Sequence, residues 1–238
     1  MKFVSFTFTT ALTLLGLNLS SVSAATLTHL SSDDEMNALM QDIAFVAEGR
    51  IGDGSGVTTH ELNLHEFDPG NPQITEQFNW QNGVTENFEL SYDPDVNLVQ
   101  FTVGDTADAT LRERQLNYNY NDPFSDIFIR TRAVDLGSSI AVSDLSLDNI
   151  SLDEQSYAIA ETRGLDILRI SDVMNRFKLT GTSTMSWQGL PPEQSQLAFQ
   201  IKVAQTEIET PNQEIPEPSL IIGLLIVAGA KIASRLSV

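Results

Sequence analysis

From about residue 57 to residue 203 the chain repeatedly alternates apolar and polar residues with a period of two, the signature of half-buried β-strands. The alternation predicts strands over residues 57–67, 86–92, 97–103, 126–133, 139–147, 165–170, 177–187 and 196–203, about eight or nine in all. Turn chemistry fills the breaks: Asp68-Pro69-Gly70-Asn71-Pro72, Asn82-Gly83, Asp93-Pro94-Asp95, Gly104-Asp105, Asn121-Asp122-Pro123 and Leu190-Pro191-Pro192. Short strands with one apolar face need a second sheet to cover that face. The predicted fold is therefore all-β, a two-sheet antiparallel β-sandwich of jelly-roll-like type. No repeat of fixed period suggests a propeller or a solenoid. The best-formed strand is 177–187, where Phe177, Leu179, Gly181, Ser183, Met185 and Trp187 alternate with Lys178, Thr180, Thr182, Thr184 and Ser186. One of its faces is mostly core and the other is hydroxylated.

Before the strands the period changes. Ser32 is placed to cap a short N-terminal helix, Glu35 completes a capping box, and Met36, Leu39, Met40, Ile43 and Ala47 follow at helical spacing. Residues 43–51 fit a first strand equally well. The run Gly52-Asp53-Gly54-Ser55-Gly56 then reads as a turn, since no Lys-Ser/Thr follows it to make a phosphate cradle. The two ends of the chain have patterns of their own. Lys2, an apolar stretch from Phe3 to Leu19, and the small residues Val22-Ser23-Ala24 predict a signal peptide over 1–24, cleaved after Ala24. At the other end Pro216-Glu217-Pro218 precedes the apolar run Leu220–Ala230, and Lys231 and Arg235 follow. The prolines put the start of any helix at or after Pro218, and Lys231 can snorkel to a headgroup layer. Basic residues beyond the span place the C-terminus in the cytoplasm. The predicted organisation is a signal peptide (1–24), an exported β-sandwich domain (25–207), a linker with the Pro-Glu-Pro motif (208–218), and a transmembrane sorting helix with a basic tail (219–238).

That tail resembles the PEP-CTERM sorting signal of bacterial exported proteins. The resemblance implies that an exosortase-like membrane enzyme recognises Pro216, Glu217 and Pro218, with Lys231 and Arg235 as the membrane-flanking basic residues. The family usually shows a tight Arg cluster at that last position. Phe177–Trp187, Asp126–Ala133 and Ala198–Val203, within a likeness that covers most of residues 43 to 205, resemble the exported β domains called choice-of-anchor, of W type. Those motifs are structural and bring no active site with them. The two resemblances together imply passage through the inner membrane, in transit or as an anchor, then the cell surface or extracellular matrix, in a setting of exopolysaccharide and biofilm.

Charge changes the picture of partners. The chain has 32 acidic and 13 basic residues, a net charge of −19. Setting aside Lys2, Lys231, Arg235 and Glu217 leaves a domain of about −21, with no basic stripe that could release counterions from a phosphate backbone. Nucleic acid is excluded as a partner on that ground. There is no cysteine, so an exported domain of this length is held by its core alone.

Candidate chemistry is sparse. His60 and His65 are five apart in an alternating segment, which sends them to opposite faces of a strand, and His29 is read as mobile near the mature N-terminus. No Ser lies in a Gly-x-Ser-x-Gly elbow. Glu86 and Glu89 differ in parity and should point apart. The pairs Asp93/Asp95 and Asp105/Asp108, and Asp144/Asp148 with Asn149, offer oxygen ligands that suit a structural Ca²⁺, with solvated loop charge as the commoner explanation. No other cofactor is predicted. Among aromatic residues Trp80, Trp187, Tyr118 and Tyr120 suit a sugar-stacking platform, and Asn117-Tyr118-Asn119-Tyr120-Asn121 sets both tyrosines on one side as the glycan contact. Trp187 continues the apolar face of its strand and reads as core. The expected function is a non-enzymatic structural or adhesive surface protein. The alternatives are a carbohydrate-binding module for exopolysaccharide and a glycoside hydrolase using paired carboxylates.

Overall fold

The structure is a computed structural model that describes residues 25–52, 60–66, 73–96, 98–104, 114–117, 124–173 and 176–206. The predicted signal peptide with Ala24, Tyr118 and Tyr120, Asp105 and Asp108, and the whole tail with Pro216, Glu217, Pro218, Lys231 and Arg235 lie outside the described residues. The elements in chain order are β1 (Thr26–Leu30), α1 (Asp33–Leu39), β2 (Met40–Ile51), β3 (His60–Glu66), β4 (Gln73–Gln77), β5 (Thr85–Asp93), β6 (Leu98–Val103), β7 (Arg114–Asn117), β8 (Asp126–Ala133), β9 (Ser139–Leu147), β10 (Ile150–Ser151), β11 (Ser156–Ile159), β12 (Leu165–Ser171), β13 (Phe177–Ser186) and β14 (Leu197–Thr206). They form two antiparallel sheets. Sheet I has the order β1-β12-β8-β14-β2-β3-β4; sheet II has the order β10-β9-β13-β5-β6-β7, with β11 also paired to β9.

The inward faces of the two sheets share one core. Phe45 of sheet I joins it to sheet II, its ring centroid 6.2 Å from Tyr92 and 6.4 Å from Phe177. The strand predicted with the cleanest alternation behaves as expected: the odd positions of β13 are buried and its even positions reach solvent. The predicted strands at 126–133 and 139–147 coincide with β8 and β9.

The strands that the pattern missed are mainly short ones and ones on sheet edges. β1 is an edge strand whose only buried residue is Leu30, and β10 has two residues. The two leucines of β1 go to opposite faces of the sheet, Leu27 to the shared core and Leu30 to the cluster under α1, so its five residues show no period of two. Thr26 lies beside Ser171, Ser171 beside Asp126, and Asp126 beside Ala204, so the first strand begins and the last one ends at the same end of sheet I.

The expected helix is real but stops early. Ser32 Oγ accepts from the Glu35 N–H at 3.2 Å, which is half of the predicted capping box. The other half is displaced by one residue, because Glu35 Oε2 accepts from both the N–H and the hydroxyl of Ser31, each at 2.7 Å. These two bonds hold the Glu35 carboxyl below its usual value. The helix ends at Leu39, and Met40 is already extended at φ −77 and ψ 119. The helical spacing of Ile43 and Ala47 is a coincidence of sequence. From Met40 the backbone pairs with β14, and from Phe45 also with β3, and a helix of seven residues has little stability of its own to set against that. Met36 seats α1 on the outer face of sheet I against Leu30, Phe128, Ile167 and Ala204. Arg130 clasps Asp33 with bonds of 2.6 and 2.8 Å, the main cause of the lowered Asp33 carboxyl pKa. No helix among the described residues is long and apolar enough to cross a membrane.

Candidate functional site

The hydroxylated face of β13 becomes the floor of a groove of about 390 Å³ on the outer side of sheet II, lined by Asn87, Glu89, Thr102, Asp144, Thr180 and Thr182. Register brings these side chains together. Thr182 lies beside Asn87 on one flank and Ser143 on the other, and Thr180 lies beside Glu89, which in turn lies beside Thr102. Beneath the floor, the Gly181 backbone rests on the Phe88 ring, which a β-carbon there would meet at 2.8 Å.

Asp144 owes its place to a β-bulge. Between Thr180 and Thr182 the partner strand β9 runs from Ser146 to Ser143, one residue more than the pairing needs, and Asp144 takes the left-handed conformation at φ 51. Bulges re-aim side chains, and Asp is among the few residues other than Gly that tolerate this backbone. The Asp144 carboxylate accepts from the Thr182 hydroxyl at 2.8 Å, and Ser143 Oγ lies 3.0 Å from Thr182 Oγ1. Across the floor Glu89 accepts from Lys178 Nζ at 2.7 Å. The groove thus holds one carboxylate neutralised by a lysine and one supported by hydroxyls.

The bulge was legible in the sequence. The inward residues of β9 are Ile140 and Val142, then Leu145 and Leu147. That switch from even to odd parity marks one inserted residue, and Asp144 falls where it happens.

The other sequence candidates separate. Asp144 and Asp148 do not converge: Asp148 Oδ1 accepts from the Lys178 backbone N–H at 2.8 Å, in the turn where Asp148 and Asn149 have positive φ. Asp93 and Asp95 are bridged by Arg176, 2.8 Å from Asp93 and in contact with Asp95, so a guanidinium takes the place proposed for Ca²⁺. Among the described residues no three His, Asp or Glu side chains gather to hold a metal ion. Glu86 and Glu89 point apart as expected, Glu86 on the core-facing parity of Phe88 and Glu89 beside Lys178.

His60 and His65 also take opposite faces. His65 comes within 4.0 Å of Glu48 on the outside of sheet I, whereas the His60 ring meets Trp187 edge-on at 6.4 Å. Burial lowers the His60 pKa, and among the described residues its Nδ1 has no partner. His29, read as mobile, is fixed in β1 between Asp166 at 3.1 Å and Glu154 at 3.4 Å. Its ring is held because Asp166 is buried and also takes Arg163 and the Tyr157 N–H. The aromatic platform does not form from tryptophan. Trp80 is buried, its Nε1–H donating to the Glu61 carbonyl at 3.3 Å, and Trp187 packs partly buried on the core.

A pair of buried carboxylates escaped the sequence reading. Glu48 and Glu61 sit on the outer face of sheet I with Arg50 between them, 3.4 Å from Glu48 and 2.7 Å from Glu61. Neither strand register nor burial of that face could be read from spacing alone. No protein-family model matches the chain, and no curated protein matches it.

Proposed function

We propose that the chain is an exported, non-catalytic adhesive protein of the bacterial surface or matrix, a jelly-roll-like sandwich that holds glycan in the sheet II groove. The observation that carries the binding part is the groove itself: solvent-facing amide, hydroxyl and carboxylate side chains on a rigid sheet, in a volume within the range of small-ligand sites. Sugars are recognised through such groups, and residues fixed on strands hold them with little ordering on binding. Crossings between sheets at β4–β5, β7–β8, β8–β9, β11–β12, β12–β13 and β13–β14 support the jelly-roll-like description. A glycoside hydrolase is the weaker reading. Its general acid needs an apolar enclosure to stay protonated, whereas Glu89 and Asp144 lie in an open groove facing Lys178 and Thr182.

Export rests on the two ends of the sequence. Cleavage after Ala24 would free β1, and the chain beyond Thr206 would carry Pro216, Glu217 and Pro218 to an exosortase-like enzyme, with the 219–238 helix held in the inner membrane by Lys231 and Arg235. Both termini of the sandwich leave from one end, which suits a domain tethered there and displayed beyond the membrane.

Mass spectrometry of the two termini, on membrane and medium fractions, tests the export reading. A mature form beginning near Ala25 and ending close to Pro218 is expected; an intact tail confined to the membrane would rule out processing. Electrophoresis of the full chain through gels containing soluble polysaccharides tests binding. Saturable retardation is expected, and Thr180→Tyr, which fills the groove, should abolish it. Retardation lost instead on changing Tyr118 and Tyr120 to Ala would assign binding to that tyrosine segment, and no retardation by any glycan would end the reading.

A further inference from the structure

The balance of charge in the groove narrows the ligand. Its described side chains are rich in acceptors: two carboxylates, the Asn87 amide and the hydroxyls of Thr102, Thr180 and Thr182. Such a site suits a ligand rich in donors and disfavours uronates and sulfates, which bring further anions into it. Long-range charge acts in the same direction, since a net of −19 repels polyanions and gathers cations.

Within the groove the two carboxylates are not equivalent. Lys178 already neutralises Glu89. Among the described residues Asp144 receives hydrogen bonds only from Thr182 and, at 3.5 Å, Ser143, and no described cation is paired with it. Among the described residues its charge is therefore uncompensated, and the bulge spends a left-handed residue on placing it beside the hydroxyl floor. An ammonium group set among sugar hydroxyls complements that arrangement: the ammonium meets Asp144, and the hydroxyls meet Asn87 and the threonines.

We propose that the groove binds an amino-sugar polymer carrying free ammonium groups, with Asp144 as the residue that pairs with the ammonium. The inference rests on the groove being a glycan site, and goes further in naming the glycan as cationic. Attraction of any polycation to an acidic protein is diffuse and sequence-blind, so the test must separate one carboxylate from total charge.

The full chain is titrated by calorimetry with the hexamer of glucosamine and with its fully N-acetylated, neutral counterpart. The wild type should prefer the glucosamine hexamer by about tenfold, the size of one charge-assisted contact, and the preference should shrink as salt rises. Asp144→Asn keeps a residue that tolerates the left-handed backbone and should remove the preference. Asp34→Asn removes the same charge from an exposed position of α1, on the outer face of sheet I and so across the sandwich from the groove, and should leave it intact.

Equal losses in the two variants would mean diffuse attraction and overturn the proposal. Equal binding of the two hexamers would overturn the ammonium pairing while leaving a glycan site in place. If hexalysine binds as tightly as the glucosamine hexamer, with the same dependence on Asp144, the groove is a basic-peptide site and the amino-sugar assignment fails. If neither hexamer binds, the glucosamine assignment fails, and the polysaccharide gels decide separately whether a glycan reading survives.

Discussion

Glu48→Ala is expected to destabilise the protein by about 3 kcal/mol or more, the range found when one partner of a buried charged network is removed. Glu48 is 4% exposed although it lies on the outer face of sheet I. Its two oxygens collect the amide of Asn63 at 3.1 Å, the guanidinium of Arg50 at 3.4 Å and the amide of Gln200 at 2.7 Å. Those donors come from β3, from β2 itself and from β14, so one carboxylate ties three adjacent strands. Without it the bonded N–H of Gln200 loses its acceptor, and Asn63 is left with Glu61 at 3.5 Å. A buried donor left unmatched costs more than the bond contributed when made. Arg50 retains Glu61, which keeps the expected loss from rising further. Glu48→Gln preserves shape and one acceptor, and should cost about 1 kcal/mol. Urea unfolding with unchanged slope would measure both. If Glu48→Ala shifts stability by less than about 0.5 kcal/mol, within the usual range of a surface change, the network contributes little and other contacts hold these strands together.

The same residues show why part of the fold could be read from sequence and part could not. β13 was legible because only one of its faces is covered: Phe177, Leu179 and Met185 point into the core while Lys178 stays wet. β2 was ambiguous between helix and strand because both of its faces are covered in the middle. Phe45 and Ala47 point inward, but Val46 and Glu48 on the outer side are buried as well. A strand buried on two sides carries no period of two, and its residues can match helical spacing by chance. The groove was half legible. Its threonine floor followed from alternation, whereas its walls depend on which strands flank β13, and strand neighbours cannot be read from local pattern. Asp144 had a signal in the parity switch of β9, but its direction follows from the bulge geometry. The partners of His29 and Arg176 lie 137 and 81 residues away in sequence, beyond anything spacing reports.

Gly49→Ala should be at least as damaging as Glu48→Ala, for the opposite reason. Gly49 is the neighbour of Glu48 and faces the core, where an added β-carbon would lie 2.5 Å from Phe199 Cε1 and 2.5 Å from Trp80 Cζ2. Neither ring has room to withdraw. Trp80 is wedged against Phe78 at 4.5 Å and tied to the Glu61 carbonyl, and Phe199 is held between Trp80 at 5.9 Å and Phe88 at 6.1 Å. In an open strand the exchange of Gly for Ala would stabilise by about 0.4–1 kcal/mol through the unfolded chain. Here overpacking should reverse the sign and cost about 3 kcal/mol, the upper end of the usual range for inserted core methylenes. A second substitution separates the clash from any other cause. Phe199→Leu removes part of the obstructing ring, so the double variant Gly49→Ala/Phe199→Leu should be more stable than the sum of the two single losses by about 1 kcal/mol or more. Strict additivity of the two losses would mean that the Phe199 ring is not what excludes a side chain at position 49. A stabilising Gly49→Ala would mean that β2 and β14 do not approach the Trp80 ring as closely as the structure has them.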